Sequence, residues 1–166
     1  MCVGEGNTVS EGLRMRLAVG SDERTALTDV VVAELQRRLM TVELYGALAP
    51  GQDSRWPVVA QAVAERVASG ACQQGVLFCW TGTGMSIAAN KSPGVRAALC
   101  TDAETARDAR AYNDANVLCL SLRLTSEALA KQILEQWLSA RVDETERENI
   151  RMVRELDALH RPSEVH

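Results

Sequence analysis

Aromatic side chains are scarce in this sequence: one phenylalanine, two tyrosines and three tryptophans in 166 residues. With so little ring volume, a core has to be filled by aliphatic side chains and alanine, and the 46% hydrophobic fraction is enough for one ordinary domain. Histidine occurs only as His160 and His166, both in the C-terminal tail, and neither is assigned a role. An excess of basic charge is also missing. Eighteen Lys and Arg face 22 Asp and Glu, giving a net charge of -4, which argues against a nucleic-acid-binding surface. Phosphorylated metabolites stay open as partners, because local arginines decide that.

Long apolar runs are absent as well. None approaches the roughly 18 residues of a membrane span, and the N-terminus lacks the charged-then-apolar order of a signal peptide, so a cytoplasmic protein with no membrane partner is expected. Five cysteines (Cys2, Cys72, Cys79, Cys100, Cys119) show neither CxxC spacing nor the density of a disulfide scaffold. They read as reduced thiols.

What is present is an alternation of strand and helix patterns. Residues 1–13 mix glycine and polar residues without a period and read as a loose N-terminal extension. One domain is expected over residues 14–160, with a tail at 161–166. Leu17 to Val19 reads as a strand ending in Gly20-Ser21-Asp22, and Thr25 to Met40 as a helix. Thr41 to Tyr45 is a second strand; Gly46 to Pro57 is a loop, and Val58 to Ala68 a helix. Further strands are expected from Gly75, over Val95 to Cys100 and over Asn116 to Ser121. Asp102 to Tyr112, Ser126 to Val142 and Glu144 to Leu159 have helical spacing. The last is densely charged, with a narrow stripe of Ile150, Val153 and Leu156. The pattern predicts an α/β fold: a three-layer, doubly wound, Rossmann-like sheet of five mostly parallel strands.

The stretch Gly75 to Lys91, GVLFCWTGTGMSIAANK, organises the chain. Val76, Leu77 and Phe78 suit a strand buried on both faces, and Thr81-Gly82-Thr83-Gly84 breaks the pattern before a helix expected from Met85. Such a loop exposes backbone N–H groups at a helix N-terminus, an arrangement suited to anions. A plain strand-to-helix turn is the alternative. Cys79 stands at the carboxyl end of the strand, the edge where open parallel sheets place ligands.

The segments GVLFCWTGTGMSIAANKSPGVRAALCTD and RDARAYNDANVLCLSLR, with the opening VGSD, resemble the ribose-5-phosphate isomerase B family, which includes the galactose-6-phosphate isomerase subunits. The resemblance implies an aldose-ketose isomerase acting on a phosphorylated sugar through a cis-enediolate, without metal or other cofactor. It implies a homodimer or tetramer in which the C-terminal helix is exchanged at the dimer interface and sites are shared. Cys79 matches the family's base, Thr81 a hydroxyl that hydrogen-bonds the sugar, and Gly82, Thr83 and Gly84 the backbone anion hole. Asp22 matches a sugar-hydroxyl contact, with a helix N-cap as its alternative. Arg123, Arg147 and Arg151 match the phosphate clamp, and Asn113 falls among the residues lining the substrate.

Departures from the family pattern concern the substrate. The usual histidine after Asp22 is Glu23, the ring-opening histidine is Tyr112, and the histidine after the first clamp arginine of the last helix is Glu148. Tyrosine, with an ordinary pKa of about 10, is a poor proton shuttle near neutrality. Trp80 stands at a position that is commonly glycine, and Trp56 where an aromatic lines the sugar site; Trp80 reads either as core packing or as a pocket wall. A shorter sugar phosphate that is already open-chain fits these changes, beside a ribose 5-phosphate-like one. The alternative is a repurposed or non-catalytic member that only binds a sugar phosphate, as a subunit or in a specialised pathway.

Overall fold

The computed structural model describes residues 14–159; the expected extension over 1–13 and the tail, with Cys2, His160 and His166, lie outside them. Strands β1 (Arg16–Ser21), β2 (Thr41–Gly46), β3 (Gln74–Cys79), β4 (Ala97–Leu99) and β5 (Val117–Ser121) form one sheet in the order β2-β1-β3-β5-β4. Every pairing is parallel. Helices α1 (Ala26–Arg37), α2 (Trp56–Ala68), α3 (Thr83–Ala89), α4 (Ala103–Asn113), α5 (Glu127–Ser139) and α6 (Arg147–Leu159) connect or follow the strands, and a 3-10 turn at Glu144–Glu146 leads into α6.

Successive strand side chains point to opposite faces, so each central strand feeds two apolar layers. Leu17, Val19, Val76, Phe78, Leu118 and Leu120 pack with Leu35 of α1, Ala106 of α4 and Ile133 of α5. Ala18, Leu77, Cys79, Val117 and Cys119 pack on the other face with Val59 and Val63 of α2 and Met85 of α3. The three expected layers are present. Trp137, the bulkiest fully buried side chain, donates its indole N–H to Gln74 Oε1 at 2.7 Å, with the Arg110 guanidinium 5.6 Å from its ring centre.

Several element ends differ from the sequence reading for local reasons. α1 stops at Arg37 because Leu39 takes a left-handed φ of 61°, and α2 begins at Trp56 because Pro57 suits a helix's first turn. α5 ends at Ser139, three residues short of Val142, where Ala140 turns extended. β4 shrinks to three residues at the sheet edge. No helix among the described residues is long and apolar enough to cross a membrane.

Glu43 on β2 ties the sheet edge to α2. It accepts from Arg66 at 2.8 Å, from Arg16 at 2.6 Å and from the Tyr45 hydroxyl at 2.8 Å. Chiefly through Arg66, its carboxyl is held down to about 2, and Glu34, beside Arg37 and Arg38, also falls to about 2. Both folded values lie below the ordinary 4.5, so this stability is fully present above pH 4.5 and is lost as pH falls toward 2. Urea titrations at stepped pH should show that decline, and Glu43→Gln should remove the Glu43 share of it while lowering stability at pH 7 by about 1–2 kcal/mol.

The strand order matters for the site. β2 lies on one side of β1 and β3 on the other, so connections diverge there and leave a crevice at the carboxyl ends of β1 and β3.

Candidate active site

Ser21 at the end of β1 is the register partner of Phe78 on β3, so the residues that follow, Asp22 and Cys79, meet at this crevice. A cleft of about 250 Å³ opens there, lined by Asp22, Trp56, Cys79, Trp80, Thr81, Thr83 and Gly84. Seven residues from three separate segments are thereby brought together.

Cys79 is 5% exposed and unpaired. Cys72, Cys100 and Cys119 are also free thiols; burial pushes Cys100 up to about 12 and raises the other two. Those three sit in the core, and Cys79 is the described cysteine that lines the cleft.

Beyond Cys79 the chain turns through Gly82, whose φ of 77° is left-handed and whose backbone caps α3. A Cβ there would lie 2.5 Å from Leu99 Cδ1 and 3.1 Å from the Leu120 carbonyl carbon, so glycine lets the loop close on β5. The helix starts at Thr83, not Met85. Thr83 and Gly84 therefore belong to its first turn, where N–H groups have no intrahelical acceptor. The Thr81 and Thr83 hydroxyls share a 2.6 Å hydrogen bond.

Two indoles shape the cleft. A Cβ on Gly84 would stand 3.2 Å from Trp56 Cε3, so Trp56 lies against the backbone of α3. Trp80 is 61% exposed and lines the cleft, which rules out the core-packing reading of that residue.

The N-cap alternative for Asp22 is also excluded. Thr25 caps α1, its hydroxyl accepting from Thr28 N–H while Thr28 Oγ1 accepts from Thr25 N–H. Asp22 Oδ1 is instead buried with no hydrogen-bond partner, and burial pushes its carboxyl up, with Glu23 adding to the effect. A buried, orphaned carboxylate oxygen at a cleft is an acceptor waiting for a donor. Ser21 Oγ fixes this turn by bonding both the carbonyl and the N–H of Glu23.

Arg123 follows β5, and its N–H donates to the Trp80 carbonyl at 3.2 Å. Among the described residues its guanidinium pairs with no carboxylate, unlike Arg147, which pairs with Glu144, and Arg151, which pairs with Glu148 and Glu155. Arg147 and Arg151 line a different cavity of about 350 Å³ with Asp114, Val142, Ile150 and Arg154. Tyr112 is 45% exposed at the end of α4, and Asn113 lines a third cavity of about 420 Å³ with Asn90, Arg96 and Val153. Within one chain these four residues do not line the Cys79 cleft, and neither do Arg123 and Gly82.

Motif reading passed over Ser121. It is a buried hydroxyl that donates to the Trp80 carbonyl at 2.8 Å, and its signal was a polar residue closing the apolar run VLCLS. No group of three His, Cys, Asp or Glu that could hold a metal ion occurs among the described residues.

Comparison with known proteins bears on the chain's family and fold. The family model described as Ribose/Galactose Isomerase matches residues 17–155. A D-erythrulose-4-phosphate isomerase of Pectobacterium atrosepticum is 38% identical over 127 residues, which cover 76% of this chain and 84% of the relative. Ribose-5-phosphate isomerase B of Escherichia coli is 37% identical over 129 residues, 77% of this chain and 86% of that protein. The solved ribose-5-phosphate isomerase B of Clostridium thermocellum superposes with a TM-score of 0.81 at 35% identity, covering 89% of this chain and all (100%) of that one. With the family model spanning residues 17–155 and relatives more than 30% identical over about three quarters of its length, the chain belongs to the ribose/galactose isomerase family.

Proposed function

We propose that this protein interconverts an aldose and a ketose phosphate, that Cys79 is the base, and that the preferred substrate is a short sugar phosphate bound in open-chain form. The observation that carries the reading is the single cleft at the sheet's switch point, where the Cys79 thiol, the orphaned Asp22 oxygen and the first turn of α3 converge.

Isomerisation moves a proton between adjacent carbons through a cis-enediolate, which needs a base, donors for the oxyanion and a grip on the phosphate. Cys79 Sγ takes the proton from the carbon next to the carbonyl and returns it to the neighbouring carbon. The N–H groups of Gly82, Thr83 and Gly84 hold the enediolate oxygens, supported by the positive end of α3. Asp22 accepts from a sugar hydroxyl, and Thr81 bonds another.

The phosphate falls to Arg123 of one chain and to Arg147 and Arg151 of a second copy. The present glutamate pairs of Arg147 and Arg151 are exposed surface pairs, which contribute little and can be exchanged for a phosphate. On α6, Met152, Val153 and Leu159 are 54%, 48% and 75% exposed, an apolar stripe suited to burial against that copy. The same packing delivers Tyr112 and Asn113. A homodimer is thus the smallest complete unit in this reading.

Tyr112 where the family has its ring-opening histidine favours a substrate that needs no ring opening. A four-carbon sugar 4-phosphate meets this condition, because the oxygen that would close a five-membered ring carries the phosphate. Trp80 on the cleft wall favours a short chain too. Purified protein offered four-, five- and six-carbon sugar phosphates should turn over the four-carbon one with the highest kcat/KM. Trp80→Gly should move the preference toward five carbons by about tenfold. Equal or better turnover of ribose 5-phosphate by the wild type would overturn the substrate assignment.

A further inference from the structure

The loop carrying Cys79 is laid across the end of β5 by a short hydrogen-bond ladder. Cys79 and Ser121 are register partners, and the Cys79 carbonyl accepts from Leu122 N–H at 2.9 Å. The Trp80 carbonyl accepts twice, from the Ser121 hydroxyl at 2.8 Å and from Arg123 N–H at 3.2 Å. Ser121 Oγ in turn accepts from Leu124 N–H at 3.1 Å. Ser121 is 2% exposed and its side chain lies outside the cleft lining, so it has no path to a substrate.

We infer that Ser121 is a positioning residue: its hydroxyl clamps the Cys79-Trp80-Thr81 segment to the turn that bears Arg123, fixing the thiol and the phosphate arm in one geometry. The inference rests on the reading of Cys79 as base, but its structural part stands independently. Both lone-pair and proton capacities of the hydroxyl are used across two loops, one feeding the proton-transfer residue and the other a clamp arginine. A buried hydroxyl serving only local strand structure would bond within its own turn. Here one of its two bonds crosses 41 residues of sequence.

Removing the hydroxyl leaves the Trp80 carbonyl with a single donor and Leu124 N–H with no side-chain acceptor. The backbone at residues 79–81 then gains freedom next to the reacting carbon, where small misplacements cost large factors in rate.

The test uses the full-length protein with Ser121→Ala, Ser121→Cys and Ser121→Thr. Iodoacetamide labelling of the Cys79 peptide, followed by mass spectrometry without substrate, reads thiol exposure independently of activity. Steady-state kinetics on the best sugar phosphate reads kcat and KM. The expected result is several-fold faster Cys79 labelling and about a tenfold lower kcat for Ser121→Ala, with a smaller change in KM. Ser121→Thr, which keeps the hydroxyl, should restore both toward wild type, and Ser121→Cys, which keeps the volume, should behave like alanine. Unchanged Cys79 labelling and kcat in Ser121→Ala, with only a lowered melting temperature, would overturn the inference. If labelling accelerates while the wild type turns over no sugar phosphate, the clamp is supported and the reaction assigned to Cys79 is refuted.

Discussion

Cys79→Ala should lower kcat about a thousandfold while leaving KM within a few-fold, because the proposed base transfers a proton and contributes little to holding the phosphate. The fold should survive. Cys79 packs in the layer with Leu77, Met85 and Cys119, so losing one sulfur costs on the order of 1 kcal/mol, visible as a drop of a few degrees in melting temperature. Cys79→Ser keeps most of the volume and should be nearly as inactive, since a hydroxyl is a far weaker base than a thiolate. A retained kcat in either variant would move the base elsewhere, and Asp22, with its buried, unpartnered oxygen, would be the first alternative.

The second large effect concerns the arginines of α6. Within one chain Arg147 and Arg151 line a cavity separate from the Cys79 cleft. In the reading proposed here they act on the site of a second copy. Arg147→Ala combined with Arg151→Ala should raise KM about a hundredfold or more, as two charge-assisted bidentate contacts are lost. At substrate concentrations well below the double variant's KM, mixing Cys79→Ala subunits with the double variant should then raise activity above that of either alone. In a randomly reassorted dimer half the molecules are mixed and each mixed dimer holds one intact site, so roughly a quarter of wild-type activity should return. If the arginines serve their own chain, no recovery appears.

The parts of the structure that were legible in the sequence are those governed by local rules. Short continuous apolar runs placed β1, β3 and β5, because each is buried on both faces and feeds two layers at once. Cys79 and its glycine loop were legible because a buried strand, a left-handed Gly82 and a helix start follow one another directly. The start of α3 was misjudged by two residues. Gly82 itself serves as the N-cap, and glycine in that role gives no side-chain signal.

What stayed open in the sequence has two physical causes: near-equal competitors close by, and partners distant in sequence. Asp22 had two readings until Thr25 was seen capping α1, a choice between neighbours of similar capping strength. Trp80 could have been core or wall, since an indole serves either, and only the packing of α2 on α3 puts Trp56 opposite and leaves Trp80 facing outward. Ser121 went unnoticed because its acceptor, the Trp80 carbonyl, belongs to another strand's loop. Tyr112, Asn113, Arg147 and Arg151 lie outside the Cys79 cleft of their own chain, and nothing local in the sequence marks that separation.

The most direct test of the central claim is proton exchange at carbon. Wild type and Cys79→Ala are incubated side by side with a four-carbon sugar phosphate in heavy water, and deuterium on the carbons flanking the carbonyl is read by NMR. Deuterium is expected at the carbon next to the carbonyl with the wild type, with at least about a hundredfold slower incorporation for Cys79→Ala. Equal incorporation by the two proteins, or none from any four-, five- or six-carbon sugar phosphate with the wild type, would contradict the central claim.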